Sequence, residues 1–495
     1  MTSRAPSIPD DVQSVHLIGV GGTGMGAFAG LLKAAGYAVR GSDEGVYPPM
    51  SDKLRDWGIE VRTPYAAANL EPPVDLVVVG NVIRATNVEA RAAIDGGMAY
   101  TSFPAALGSL FLDGKDSSNE GERRAARHGV VVAGTHGKTT TTTLIAHTLL
   151  SAKRDAGFLV GGVPLGLGES FRAGAPGAPF VVEGDEYDTA FFDKGPKFLH
   201  YRPRSLLVTS VEYDHADIYA SVEQIEDRFA ELFALVPDDG LIVARGGMPH
   251  VERALTKAEA RIRARVVRYV SGDATAHDLQ VGRVGQDFAV VVRGAPRGRV
   301  TIPMHGPHNV ENALGAYVVL DGLGLSHDEI AHGFSTFAGV KRRLEVRGEA
   351  MGAIVVDDFA HHPTAIAVTL EGARARWPDH RIVALFEPRS ATSCRRVFQQ
   401  AFAEAFGSAD EVLFAPPGRQ LAKDEALDVA QLAVDVTKRG TPAIACASLD
   451  ELVQRAIDAP KQSVLLGMSN GAFGDAHRRI LDGRRAREAA SRGEP

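Results

Sequence analysis

Along its whole length the chain alternates short apolar runs, ending in Gly, Asn, Asp or Glu, with Ala/Leu/Arg-rich stretches of helical period. That alternation constrains the fold more than any other feature. Strands buried on both faces read as continuous apolar runs, and the helices that cross between them read as amphipathic stretches. The pattern therefore predicts parallel sheets assembled from βαβ units. Residues 16–20 read as a first strand, 25–35 as the helix after it, and 75–81 as a later strand of the same unit.

At 495 residues the chain is long enough for two to four domains. Residues 113–128 lack the apolar positions needed to pack and read as a solvated linker that closes a first unit, 1–128. The run 130–133 opens a second unit, 129–342, with further strands at 180–183 and 206–210 and an antiparallel excursion of short strands between 261 and 304. A third unit, 343–495, carries strands at 353–357, 382–386 and 463–467, and its tail from 478 onward reads as a solvated helix end. The expected fold is α/β in three domains: an N-terminal Rossmann-like unit, a central P-loop ATPase-like unit with a mixed sheet, and a C-terminal Rossmann-like unit.

Charge narrows the function classes. Lys and Arg total 54 against 61 Asp and Glu, a net −7, which argues against sequence-independent affinity for nucleic acid or an anionic membrane surface. No stretch approaches the roughly 18 apolar residues of a membrane span. The two cysteines, Cys394 and Cys446, cannot build a disulfide framework and suit a reducing compartment, so a cytoplasmic protein is expected, as a monomer or weak homodimer.

Two glycine loops carry the chemistry. Gly19-Val20-Gly21-Gly22-Thr23-Gly24 lies between a strand and a helix that begins at Met25, with Asp43 after the next strand and Asn81 after a later one. Small residues there let backbone N–H groups and the helix N-terminus approach a pyrophosphate, and on this loop alone an NAD-dependent oxidoreductase would be the leading reading. The second loop, Gly134-Thr135-His136-Gly137-Lys138-Thr139-Thr140, also joins a strand to a helix. Its amides would wrap a β-phosphate, Lys138 would reach the β and γ phosphates, and the Thr139 hydroxyl would reach Mg²⁺. Only two residues separate its glycines where four are usual, so it is a short variant of a triphosphate loop.

Such chemistry needs a carboxylate for the metal. Glu183 ends an apolar strand, while Asp185, Glu186 and Asp188 behind it individually read as a water-facing acidic loop. His215 follows another strand and is a candidate for the metal or phosphate region. Asn309 and Asn312 share a helix face, where their amides either read an adenine edge or cap the helix. In the third unit, Asp358, His361 and His362 follow one strand and Arg389-Ser390 follows another. Adjacent histidines rarely point at one ion, and the exposed Arg389 suits a carboxylate.

Taken in order, residues 134–140, Glu183-Gly184-Asp185-Glu186, Asp214-His215, His308-Asn309 with Asn312, Arg342-Arg343 and 358–363 resemble the Mur ligase family over nearly the whole chain. The resemblance implies three domains, for a UDP-sugar, for ATP and for the incoming amine, and a reaction in which ATP activates a carboxylate as an acyl phosphate. It implies ATP and Mg²⁺ as cofactors, with Lys138 and Thr139 at the phosphates, and Thr139, Glu183 and His215 at magnesium. It also implies Asn309 and Asn312 near adenine, Arg343 and Asp358 at the nucleotide from the third unit, and His361 near the reacting phosphate. Residues 46–51, 186–194 and 387–390 are similar to the branch that joins UDP-N-acetylmuramate to the tripeptide L-alanyl-γ-D-glutamyl-meso-diaminopimelate in cell-wall recycling, rather than to the branch that adds L-alanine. In that branch Gly21, Gly22, Thr23, Gly24, Met25, Asp43 and Asn81 would serve the UDP-sugar, and Arg389, Ser390 and Ser469 the peptide. Several family members carry a carbamylated lysine after the Asp-His pair. No lysine stands between Lys197 and Lys257 here, so that role is absent or filled otherwise. A non-catalytic ATP-driven switch is the third alternative, distinguished by slow ATP hydrolysis that needs no muramyl acceptor.

Overall fold

The computed structural model describes residues 8–112, 127–216 and 218–492. Of the expected linker, 113–128, residues 113–126 lie outside the described residues, while Arg127 is buried and His128 already begins a strand of the middle sheet. Three sheets follow one another along the chain. The first has five parallel strands in the spatial order Glu60–Arg62, Ala38–Ser42, Ser14–Ile18, Leu76–Val79, Tyr100–Ser102. The order reverses at Ser14–Ile18, and a crevice opens beyond the carboxyl ends of that strand and Leu76–Val79, where such sheets take their ligands. The 19–24 loop and Asn81 lie at those ends, and the helix Thr23–Ala34 starts from the loop.

The middle sheet has ten strands. His128–Ala133 is central, paired in parallel with Ser205–Val208 on one side and Pro179–Gly184 on the other. Register sets Glu183 opposite Val132 and Val208 opposite Ala133, so three strand ends converge on the start of the second glycine loop. The excursion expected between 261 and 304 is only partly antiparallel. Arg265–Tyr269 extends the parallel sheet and Ala274–Val281 pairs in parallel with it, so reversal begins with Gln286–Val292, antiparallel to both Ala274–Val281 and Ala295–Ile302. The helices Lys138–Ser151 and Pro307–Gly322 bury Leu144, Ile145, Leu149, Leu314, Tyr317 and Leu320 against one face of this sheet.

The third sheet is parallel except for its edge pair, Glu345–Ala350 with Ala353–Asp358. Ser463–Met468 lies between Ala353–Asp358 and Arg381–Phe386, with Met468 opposite both Asp358 and Phe386. The segments just past these ends, which hold Ser469, Glu387 and Arg389, are thereby gathered at one edge. This is a three-domain α/β fold with a mixed central sheet and Rossmann-like sheets before and after it.

The first and middle sheets share an apolar seam. Phe111 packs on Phe180 at 5.8 Å between ring centroids and Trp57 meets Phe171 edge-on at 5.0 Å, each buried ring contributing about 1.5–3 kcal/mol. The tail departs from its expected solvated character. The helix Ala476–Arg492 buries Ile480 and Leu481, and Arg484 is 1% exposed, its guanidinium donating to the carbonyls of Ala350, Ile457 and Ala459. Those acceptors include the end of the helix Leu449–Asp458, where a cation is favoured. Cys394 and Cys446 are buried free thiols. No helix among the described residues is long and apolar enough to cross a membrane.

Candidate active site

Gly137 sits at the N-cap of the helix Lys138–Ser151 with φ +81°, and a Cβ there would meet Asn312 Oδ1 at 2.5 Å. Left-handed backbone and close approach both demand glycine at this position. Lys138 Nζ folds back onto its own loop, donating to Gly134 O at 2.6 Å and to Glu186 Oε2 at 2.9 Å. Burial alone would lower the pKa of this lysine, but the charges of Glu186, Asp185 and Glu183 outweigh it and raise it, so the ammonium stays charged.

The acidic segment is not a water-facing loop. Glu186 is 2% exposed and bound to Lys138, and Asp185 is paired with Lys197 at 3.2 Å. Asp188 pairs with Lys194 nearer the surface. The strand Pro179–Gly184 delivers these residues beside the loop, where Lys138 and Lys197 compensate them. Thr139 Oγ1 donates to Glu183 Oε2 at 2.8 Å, and Glu183 Oε1 accepts from Gly161 N at 2.6 Å. Burial and the neighbouring Asp185 charge raise the Glu183 pKa despite these bonds. A carboxylate so placed favours a nearby cation, and its hard oxygen partner on Thr139 suits Mg²⁺. His215 sides with the second acid, its Nε2 lying 3.5 Å from Glu186 Oε1 in a cluster with Asp214. Burial would lower the pKa of His215, and Glu186 and Asp214 raise it.

Asn309 and Asn312 do not cap their helix, since Gly306 is its N-cap. Asn309 Nδ2 donates to His305 O at 2.8 Å, whereas Asn312, 8% exposed, stands against Gly137. From the third unit, Arg343 lies over the Phe359 ring at 5.4 Å. The Asp358 carboxylate is buried and accepts from the backbone of Leu344 and Ala360, each at 2.8 Å, which fixes the segment joining the second and third units. His361 Nδ1 lies 3.0 Å from Phe359 O, and burial lowers its pKa. His362 turns the other way and reaches the middle unit, its ring centroid 4.7 Å from that of His136.

Three residues that were not expected at the site join it. Glu212 accepts from Thr364 Oγ1 at 2.6 Å and lies 3.5 Å from His136 Nε2. Burial would raise its pKa, yet the His136 and Thr364 contacts hold it at about 2. Glu186 and His362 are the others. Strand-end position was a signal for Glu212, but side-chain direction across two sheets is not written in a local pattern.

At the first sheet Gly21 N–H donates to Asp43 Oδ2 at 2.7 Å, so Asp43 braces the loop. Gly22 caps the helix Thr23–Ala34, Met25 is buried and Asn81 is exposed at the crevice. At the third sheet Arg389 is half exposed, with Nη1 3.5 Å from Glu387 Oε1. A Cβ on Gly471 would strike its Cδ at 2.3 Å. Ser390 Oγ donates to Ser393 Oγ at 2.8 Å. Ser469, expected at the peptide, is 1% exposed and spends its hydroxyl on Glu387 and on the Gly471 N–H, so it orders the Arg389 pocket from behind.

These features define a class: a three-unit α/β enzyme whose middle unit carries a glycine loop backed by buried acids, with elements of the third unit folded over it. Residues 14–115 match the "Mur ligase family, catalytic domain", 132–320 the "Mur ligase middle domain", and 342–471 the "Mur ligase, glutamate ligase domain". The chain belongs to the Mur ligase family, whose members are ATP-dependent amide ligases. It is 36% identical over 473 residues to the UDP-N-acetylmuramate–L-alanyl-γ-D-glutamyl-meso-2,6-diaminoheptandioate ligase of Haemophilus influenzae, covering 95% of this chain and 99% of that one. The UDP-N-acetylmuramate–L-alanine ligase of an Arthrobacter strain is also 36% identical, over 81% of this chain and 80% of its own. Among solved structures, a murein peptide ligase from Psychrobacter arcticus matches 96% of this chain and 99% of its own with TM-score 0.69 and 34% identity. The UDP-N-acetylmuramate–alanine ligase of Thermotoga maritima matches 97% and 99% with TM-score 0.74 and 24% identity, a likeness of fold.

Proposed function

We propose that this protein joins the lactyl carboxylate of UDP-N-acetylmuramate to the amine of L-alanyl-γ-D-glutamyl-meso-diaminopimelate at the expense of ATP. The observation that carries the reading is the pairing of Thr139 with Glu183 and of Lys138 with Glu186 at the mouth of the glycine loop. Full-length similarity, 95% of this chain against 81% for the alanine-adding relative, favours the tripeptide acceptor. Arg389 supports it further, since a half-exposed guanidinium, packed along its stem against Gly471, suits the terminal carboxylate of a diaminopimelate residue.

In this reading residues 1–128 hold the UDP-sugar at the 19–24 loop, 129–342 hold ATP, and 343–495 hold the peptide. A carboxylate and an ammonium do not condense in water, so ATP first phosphorylates the carboxylate and the peptide amine then displaces phosphate. Mg²⁺, when bound by Thr139 and Glu183 with His215 nearby, neutralises charge on the phosphates. Lys138 leaves Glu186 to meet the transferring phosphoryl group and stabilises the charge that develops there. Asn312 buttresses Gly137 and keeps the loop amides aimed at the phosphates. Arg343 and His361 close over the reacting groups from the third unit and exclude water that would hydrolyse the acyl phosphate. The test is ADP release with UDP-N-acetylmuramate and either the tripeptide or L-alanine. The tripeptide is the preferred acceptor here, and preference for free L-alanine would reassign the protein to the alanine-adding branch.

A further inference from the structure

Behind the glycine loop, on the side facing the third unit, three side chains from distant parts of the chain converge. His136 comes from the loop, Glu212 from the segment after Ser205–Val208, and His362 from the N-cap of the helix Pro363–Arg376. One ligating atom from each lies within 4.8 Å of the others. His136 Nε2 is 3.5 Å from Glu212 Oε2 and His362 Nδ1 is 4.0 Å from the same oxygen. Both ring nitrogens are buried and have no hydrogen-bond partner among the described residues. A histidine beside a carboxylate ordinarily closes to a hydrogen bond of about 2.7–2.9 Å. Here two stop short of one carboxylate, leaving a gap between them.

The surroundings prepare those atoms to ligate. His362 Nε2 lies 3.2 Å from Tyr213 O, a contact that places the ring proton on Nε2 and leaves the Nδ1 lone pair directed into the gap. Thr364 Oγ1 donates to Glu212 and fixes that carboxylate. Carbonyl and hydroxyl partners behind the ligands are what orient histidine and carboxylate at metal centres. His362 is 6% exposed, and burial holds its pKa at about 4, so the ring is neutral near pH 7.

We propose that His136, Glu212 and His362 bind a borderline divalent cation of the Zn²⁺ class and so tie the third unit to the nucleotide loop. Two imidazoles and one carboxylate with a fourth position open to water suit that class. Bonds of about 2.0–2.2 Å need only modest closure of the present spacing. This set shares no residue with the hard-oxygen pair Thr139 and Glu183, so Mg²⁺ and the softer ion are not competitors. An ion here resists separation of the second and third units, and excess Zn²⁺ slows turnovers that require them to part.

The test uses the nucleotide-free full chain in saturating Mg²⁺, titrated with Co²⁺ as the probe, and is independent of which amine the enzyme accepts. One equivalent produces the intense visible absorption of four-coordinate Co²⁺, and Zn²⁺ bleaches it. His362→Ala and Glu212→Gln lose the band, whereas His361→Ala keeps it. Thr364→Val weakens Zn²⁺ binding about tenfold. Should His362→Ala not fold, the near-isosteric Glu212→Gln decides alone. Weak six-coordinate absorption that Mg²⁺ abolishes, or a full band persisting in either ligand variant, overturns the site.

Discussion

The two glycine loops occupy equivalent places, each leaving a central parallel strand and opening a helix, yet they are built for different work. At 19–24 the nearest acid, Asp43, is bonded to Gly21 N–H, and the first turn of the helix carries no acidic residue. That loop offers backbone dipoles and nothing that moves. At 134–140 a charged lysine is held by a buried glutamate, a threonine is held by a second one, and Asn312 braces the turn. A ready-made diphosphate needs only a cradle. Transfer of a phosphoryl group needs movable cations and metal-binding oxygens, and the price is a cluster of buried charges. Similar topology therefore predicts where a ligand sits, while the residues around the loop decide whether chemistry happens.

The sharpest break of this contrast is Lys138→Met. It should lower ligation at least about 100-fold, read as ADP release, while calorimetric binding of UDP-N-acetylmuramate stays unchanged. Stranding Glu186 should also cost about 3–5 kcal/mol of stability. The double variant Lys138→Met/Glu186→Gln should regain much of that stability and none of the activity. Loss of sugar binding in a folded variant would merge the two loops into one function.

Next in size is Arg389→Ala. Charge-assisted hydrogen bonds of about 1.5–3 kcal/mol translate to a tripeptide KM raised about 10- to 100-fold, with the KM for ATP unchanged. Gly137→Ala and Gly22→Ala then compare the loops directly. An alanine at 137 is strained at φ +81° and collides with Asn312 at 2.5 Å, so the KM for ATP should rise about tenfold through roughly 1–2 kcal/mol of strain. A Cβ at Gly22 meets nothing closer than Gly19 O at 3.9 Å, so the fold should tolerate it and only sugar affinity should fall. Thermal unfolding of the two variants separates the cases.

The smallest effect concerns His308, half-buried on the helix that also carries Asn312. Burial, with Arg343 nearby, pushes its pKa down to about 4. The unfolded chain binds this proton near pH 6.5 and the folded chain does not, so stability rises with pH between about 4 and 6.5 and is lost as pH falls through that window. Urea midpoints of His308→Gln measured across that range should show a shallower slope than the parent.

Much of the framework was legible because buried strands are written as apolar runs. The runs at 130–133, 180–183, 206–210, 353–357, 382–386 and 463–467 all lie in strands, within a residue or two of their expected ends. The two loops were legible because glycine spacing between strand and helix has a backbone cause. What stayed hidden depends on the third dimension. Asp185 and Glu186 look like a solvated acidic loop until Lys138 and Lys197 are brought beside them. His361 and His362 look equivalent until the N-cap turns His362 toward His136. Arg484 looks like one of several tail arginines until carbonyls from two distant segments surround it. Ser469 reads as a free loop hydroxyl until Glu387 is brought beside it.

The account turns on the muramate carboxylate being phosphorylated before any amine reaches it. UDP-N-acetylmuramate carrying a heavy oxygen isotope in the lactyl carboxylate decides this during a single round of ligation with ATP and the tripeptide. Inorganic phosphate should leave with one labelled oxygen for each ADP formed. Phosphate free of label, with the amide still made, would contradict the account.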